Sequence, residues 1–326
     1  MQSNRERPLN FDDLFRGFEE LTITGLAQGS VYALVALGYT LVYGVLRLIN
    51  FAHSEVFMFG TFAAVWIWGV MGFDADSSRP AVWLALLLIL VAMVFAALVS
   101  GGVAMLVEVS AYRPLRKRNA PPLAFLITAI GASFVLLEFM ALPFMSDRRQ
   151  IGMPPMLPTA PIISVGGWEV NPLQLMTIVV ALVMMFSLDW FVNKTKFGRG
   201  IRAVAQDANT AALMGVNKSR VILLVFLLGG LMAGVAAVLA SMRTGYTRFN
   251  IGFFLGIKAF SAAVLGGIGN LRGALLGGLL LGLIENYGAA LFGTEWKDAI
   301  SFLVLVALLM FRPTGLLGES LGRARA

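Results

Sequence analysis

The sequence predicts an all-α, polytopic transmembrane helical bundle of about eight spans, with broken or re-entrant helices. Three observations carry that prediction. Apolar residues make up 58% of the 326 and charged residues only 13%, roughly half the share usual in a soluble domain. The apolar residues gather into runs of roughly 20, the length that crosses a hydrocarbon core about 30 Å thick as helix. Two stretches of chain interrupt such runs with polar groups or with glycine. Lipid accepts apolar side chains on the outside of a bundle, so a shortage of polar surface is no obstacle there. The 35 glycines suit membrane helices that pack closely.

Composition also excludes several classes. Cysteine is absent, which leaves no disulfide and no thiolate metal site, and the single histidine, His53, leaves no multi-histidine cluster. No metal site, cofactor or catalytic residue is expected. The net charge of +7 is spread over short basic clusters between apolar runs. That is how cytoplasmic loops look, so no nucleic-acid partner is expected.

The elements follow in order. Residues 1–20 form an N-terminal segment in which Phe11, Leu14, Phe15 and Phe18 share one helical face, as in a short interfacial helix. The apolar stretch that begins near Leu21 outruns a signal-peptide core, so no cleavable signal is expected. Residues 21–318 form the transmembrane domain and 319–326 a tail. The spans are Ile23–Leu46, the shorter Ser54–Met71, Ala81–Val107, Leu123–Phe144, Leu173–Val192, Val221–Met242 and Ala299–Phe311. Phe253–Phe292 is too long for one ordinary span and is broken by glycine. Pro143–Pro172 reads as an ordered outer loop or a short helix.

Orientation follows the cations. Arg113, Arg116, Lys117 and Arg118 sit in one loop, and Lys194, Lys196, Arg199, Arg202, Lys218 and Arg220 in another; both belong in the cytoplasm. Arg312, Arg323 and Arg325 place the C-terminus on the same side. The opposite loops mix signs, with Asp74, Asp76 and Arg79 in one and Asp147, Arg148 and Arg149 in the other. Counting back from Arg113, the first span enters from outside unless Arg47–Glu55 re-enters the membrane. The side of the N-terminus stays open, leaning outside.

Three constellations carry polar chemistry. Leu48–Glu55 sets Asn50, His53, Ser54 and Glu55 between two apolar runs. An ionisable group at a span centre costs about 2.5–3.5 kcal/mol on insertion scales, so such groups face a cavity or one another. A helix break lining a path and an ordinary interfacial turn are equally good readings of these residues. The second is Val264–Gly273, with Gly266, Gly267, Gly269 and Asn270. Irregular backbone at membrane depth survives only when buried in protein or lining a cavity. Direct lining of a path competes here with a tight packing corner, extended by the small-residue spacings Gly273/Gly277 and Gly278/Gly282. The glycines lack the Gly-Lys-Ser/Thr ending of a phosphate loop. The third is Phe197–Asn217, polar, alanine-rich and flanked by cations. It reads as a short cytosolic helix, on which Arg199, Arg202, Asp207 and Gly215 are the candidate contacts for a partner. Glu108, Glu138 and Asp189 lie near run ends where they can snorkel, whereas Lys258 and Glu285 fall inside the long broken segment and form a candidate functional pair. Asn193-Lys194-Thr195 and Asn217-Lys218-Ser219 match a glycosylation pattern but fall in a cytoplasmic loop, so the match is read as chance.

These segments resemble the permease subunits of branched-chain amino acid ABC importers, a family of high-affinity uptake systems for hydrophobic amino acids. The resemblance rests on Gly-Tyr-Thr-Leu-Val-Tyr-Gly at Gly38–Gly44 and Ile-Asn-Phe-Ala-His-Ser-Glu at Ile49–Glu55. It continues through Ala-Tyr-Arg-Pro-Leu-Arg at Ala111–Arg116, the Gly198–Gly215 loop, Lys258–Gly273, and Arg-Pro-Thr-Gly-Leu-Leu-Gly at Arg312–Gly318. It covers nearly all of the chain from Gly25 to Gly318 and is most similar to the smaller permease of such systems. Ser54 departs from the glycine usual in the family. The resemblance implies a multi-pass protein of the bacterial inner (plasma) membrane, with lipid around it. It implies a second homologous permease subunit, two ATPase subunits and an extracytoplasmic substrate-binding protein as partners. It makes 194–220 a coupling loop, with Asp207 and Gly215 at its characteristic positions. ATP would be hydrolysed by the partners, since this chain lacks a Walker motif. A related importer for urea, short amides or another small polar metabolite is the alternative. A proton-coupled secondary transporter fits less well, because mid-span carboxylates are scarce. No nucleophile–base pair supports a membrane enzyme.

Overall fold

The computed structural model describes residues 17–165, 167–312 and 314–318. The helices are α1 (Phe18–Leu46), α2 (His53–Val70), α3 (Val82–Val107), α4 (Arg113–Lys117), α5 (Pro122–Ala141) and α6 (Pro172–Lys194). They continue as α7 (Lys196–Gln206), α8 (Ala208–Leu213), α9 (Lys218–Thr244), α10 (Ile251–Gly266), α11 (Leu271–Phe292) and α12 (Lys297–Phe311). A π-helical turn, Glu108–Tyr112, joins α3 to α4. The expected interfacial positions Phe11, Leu14 and Phe15, and the tail 319–326, lie outside the described residues; Phe18 already opens α1.

The fold is helical, and among the described residues six helices are long and apolar enough to cross a membrane: α1, α3 with its extension to Lys117, α5, α6, α9 and α11. The 18-residue α2, the 16-residue α10 and the 15-residue α12 are shorter. The expectation of about eight spans counted Phe253–Phe292 as one broken segment. Here it is two helices that meet at Gly267–Asn270, where Gly267 and Gly269 take positive φ of 105° and 101°. Pro143–Pro172 holds no helix among its described residues. Its place is taken by two short antiparallel pairs, β1 (Ile151–Gly152) with β4 (Tyr246–Thr247), and β2 (Ile163–Val165) with β3 (Trp168–Val170). Prolines at 154, 155, 158 and 161 deny this segment the amide donors of a helix.

Side-chain polarity sets the helix ends. Asn171 and Gln174 form a capping box before Pro172, and the Asn217 side chain accepts from the Arg220 amide at 3.1 Å. The two ends of the bundle follow from contacts. The Phe18 ring meets Trp168 edge-on, and β1 pairs with β4, so the start of α1, the 142–171 loop and the end of α9 share one end. The basic segments 113–118 and 194–220 lie at the other, the end that the charge pattern leads one to expect in the cytoplasm; the hairpin end is the expected outer one.

The buried centre is α1, in which Tyr32 through Leu37 are at most 1% exposed. Its tightest neighbour is α11. A Cβ on Gly29 would sit 2.6 Å from the Gly278 carbonyl oxygen, and one on Gly278 2.5 Å from the Ala33 Cα, so the two backbones are in contact. Gly278 and Gly282 face α1, while Gly273 and Gly277 face α10. One helix thus uses two adjacent small-residue stripes for two partners. The outward faces of α3, α5, α6 and α12 carry exposed Trp83, Leu90, Phe134, Val135, Phe186 and Met310. In water such a belt would forfeit about 25 cal/mol per Å², a loss that lipid removes.

Candidate functional site

The first break is built by the end of α1. Arg47 takes a left-handed conformation, φ 54°, and its amide donates to Tyr43 at 2.7 Å, closing the helix. The chain then turns back along α1. His53, the first residue of α2, packs against Gly38 and lies edge-on to Tyr39, ring centroids 4.7 Å apart. Tyr39 is seven residues before Leu46, so α2 starts about 10 Å in from the end of α1. The segment between 47 and 53 therefore folds back into the bundle against α1.

Asn50, His53, Ser54 and Glu55 are all buried. Asn50 Oδ1 accepts from Tyr112 Oη at 3.0 Å and from the Ala52 amide at 3.2 Å. Glu55 Oε1 accepts from Ser133 at 3.2 Å, with Ser54 Oγ at the same distance; Ser54 also donates to the Phe51 carbonyl at 2.8 Å. Asn50 Nδ2, His53 Nε2 and Glu55 Oε2 have no partner among the described residues. A buried polar group without a partner costs about 1–3 kcal/mol, so this end of the bundle holds polar capacity that packing does not use. From α10, Gly252 and Gly256 make room for Ser54. Serine where the family resemblance has glycine thus leaves the break intact.

The second break is a latched corner. Asn270 Oδ1 caps α11 by accepting from the Gly273 amide at 3.1 Å, and its Nδ2 donates to the Leu317 carbonyl at 2.9 Å. The Leu316 and Leu317 amides donate to the Leu265 and Gly266 carbonyls, each at 2.9 Å. Gly266 abuts Gly273, and Gly267 abuts Gly315 and Gly318, while the space beside Gly269 is open. This is the geometry of a packing corner, one of the two readings the sequence allowed. Among the described residues no hydrogen bond joins the two breaks. They flank α10: Gly252, Gly256 and Phe260 meet the first, Phe260 lying 6.2 Å from the Phe51 ring, while Gly266 belongs to the second.

The inner segment is two short helices rather than one. Asp207 ends α7 and caps α8, accepting from the Asn209 and Thr210 amides at 2.8 and 3.1 Å and from the Thr210 hydroxyl at 2.7 Å. These bonds, the Thr210 hydroxyl first, hold its carboxyl below the ordinary aspartate range. The carboxylate is therefore committed to the helix cap. Arg202 folds back to the Val192 carbonyl of α6, and Arg199 is exposed. Gly215 takes φ 85° in open space. Ile201 and Val204 bury one face of α7 against the bundle. Leu213 and Met214, which the sequence reading passed over, are 88% and 81% exposed. Two large apolar residues beside a glycine in a polar loop are the signal that identifies them.

Lys258 and Glu285 do meet, at 2.8 Å. Sequence reading did not find their other partners. Tyr32 Oη donates to Glu285 at 2.7 Å, and Lys258 reaches Asp298 at 2.6 Å, so α1, α10, α11 and α12 share one polar node. Glu108 proves to be no snorkelling group: it is fully buried and held by Arg113 at 2.9 Å and by Arg116. At the outer end, a cavity of about 390 Å³ opens between α1, α6 and α9 beneath the Met153–Thr159 loop, with Arg79 and Arg243 in its wall.

The family described as "Branched-chain amino acid transport system / permease component" matches residues 21–309. The chain is 42% identical to the high-affinity branched-chain amino acid transport system permease protein BraD of Pseudomonas aeruginosa, over 91% of this chain and 94% of that protein. It is 38% identical to the corresponding permease protein LivH of Salmonella typhimurium, over 94% and 97%, and equally to LivH of Escherichia coli K12. The re-entrant segment, the inner helix pair and the corner residues Gly266–Gly273 fall inside the matched residues, while the latch at 314–318 lies just beyond them, and the chain belongs to the branched-chain amino acid transport system permease family.

Proposed function

We propose that this chain is the transmembrane permease subunit of an ABC importer for branched-chain amino acids, one half of a translocation path in a bacterial inner membrane. The observation that carries the reading is the family match across 21–309, shared at nearly full length with permease proteins. The six long helices carry the membrane crossings, and α2, α10 and α12 are shorter membrane segments packed among them. A second, related permease completes the path. Two ATPase subunits supply the free energy, and an extracytoplasmic binding protein supplies the substrate.

The inner helix pair is the coupling element. Apolar Leu213 and Met214 enter a groove of the ATPase, and Arg199 sets register by charge. Asp207 acts by fixing the angle between α7 and α8. The re-entrant segment, with the unused hydrogen-bonding capacity of Asn50, His53 and Glu55, lies along the path. Gly266, Gly267, Gly269 and Asn270 hold the corner on which α10 turns.

Reconstitution in proteoliposomes tests this. The complete complex with its binding protein should take up leucine, isoleucine or valine only when ATP is present inside the coupled compartment. Uptake by this chain without ATPases, driven by a proton gradient, would refute the reading. So would ATP-driven uptake of urea or short amides with none of branched-chain amino acids.

A further inference from the structure

The outer cavity belongs to neither break nor to the inner helix pair. Its volume of about 390 Å³ falls in the range of small-molecule sites, ~300–1,000 Å³. The wall is mostly apolar, and Ala27, Met153 and Met156 within it are buried. Two guanidinium groups line it, from Arg79 in the α2–α3 connection and Arg243 in the last turn of α9, and among the described residues no aspartate or glutamate does. Neither arginine forms an ion pair among the described residues, although the Glu285 carboxylate lies near enough to act on Arg243 through space; the one hydrogen bond Arg243 makes there is a long one, 3.4 Å, to the Thr24 carbonyl. Among the described residues the charges in this wall are two guanidinium groups, one of them half-buried, which suit a carboxylate joined to an apolar body; the neutral side chains of Thr159, Asn171, Gln174 and Thr177 in the same wall supply oxygens toward which an α-ammonium can turn.

We propose that this cavity is a binding site, borne by the permease itself, for the carboxylate of an amino acid with an apolar side chain. Arg243 takes the carboxylate, with the exposed Arg79 at the rim adding attraction, and Met153 and Met156 receive the side chain. The inference deepens the importer reading and rests on it. It gives the permease a share in selectivity, which would otherwise belong to the binding protein alone. An acidic loop of a partner protein suits the site less well, because a loop would bring polar backbone into an apolar chamber.

The test is equilibrium binding of radiolabelled leucine to the purified complex in nanodiscs, without binding protein and without nucleotide. Saturable binding is expected, displaced by 4-methylpentanoate, which keeps the carboxylate, and not by leucinamide, which lacks it. Arg243→Gln should weaken binding roughly tenfold or more. Met156→Trp, which fills the chamber without touching a charge, should abolish it. Arg149→Gln, an exposed outer cation outside the cavity wall, should leave it unchanged. Absence of saturable binding overturns the proposal, as does equal displacement by leucinamide or unaltered binding in both cavity variants. Uptake by the complete system separates the two readings. Leucine uptake with no such binding removes this site and leaves the importer standing; absence of both removes both.

Discussion

Replacing Gly38 by alanine tests whether the re-entrant segment is seated as the structure has it. The added Cβ would fall on the His53 imidazole, overlapping Nε2 and lying 2.6 Å from Cε1, and 3.0 Å from the Gly229 carbonyl oxygen of α9. The backbone contact is tight but tolerable, so the imidazole is the main obstacle. His53 is buried against Tyr39 and has little room to swing. Overpacking of this kind costs about 1–3 kcal/mol. In a His53→Ala background the ring is gone and the residual strain comes only from Gly229, so the same substitution should cost well under about 1 kcal/mol. The two changes are therefore non-additive, with a coupling of roughly 1–2 kcal/mol, the size found for residues in contact. The assay is unfolding in mixed micelles by SDS titration for the parent, the two single variants and the double variant. Equal cost of Gly38→Ala in both backgrounds would refute the reasoning, because α2 would then not begin beside Gly38, two turns in from the end of α1.

Three further outcomes are expected. Asp207→Ala should fray α8, raising amide exchange across 208–213 and lowering ATP-driven uptake, whereas Asp207→Asn, a comparable cap, should preserve both. Because the folded carboxyl titrates below its unfolded value, its contribution is fully present above the unfolded range and is lost as pH falls through the folded one; protection of 208–213 should follow that course. Leu213→Asp with Met214→Asp should insert normally yet co-purify poorly with the ATPases, since both side chains are open to solvent in this chain; full-strength assembly would count against the docking face. Asn270→Ala removes a helix cap and the bond to the Leu317 carbonyl, which should cost about 1–2 kcal/mol and raise proteolysis around 314–318.

Much of the architecture was legible in one dimension. Run length and the scarcity of charge give the span-forming segments, and Gly267 and Gly269 mark the corner between α10 and α11 because their backbone conformations are closed to most residues. Asn50, His53, Ser54 and Glu55 stood out because polar groups inside an apolar run need a compensating environment. The inner helix pair was visible as a segment, but its division at Asp207 was not, since an N-capping aspartate and a surface charge look alike in sequence. Prolines between Pro143 and Pro172 hinted at irregular backbone, yet the β1–β4 pairing joins residues almost a hundred positions apart.

What the sequence by itself determined is the solvent: a chain this apolar, with basic clusters set between its apolar runs, belongs in a bilayer. What only the tertiary structure decided is which face of each helix meets protein. In lipid an apolar side chain is as well accommodated on the outside as in a packed interface, so hydropathy carries no mark that separates the two. Hence the contact of α1 with α11, the node joining Tyr32, Lys258, Glu285 and Asp298, and the convergence of Arg79 and Arg243 on one cavity come from packing, which brings together residues that no local pattern connects.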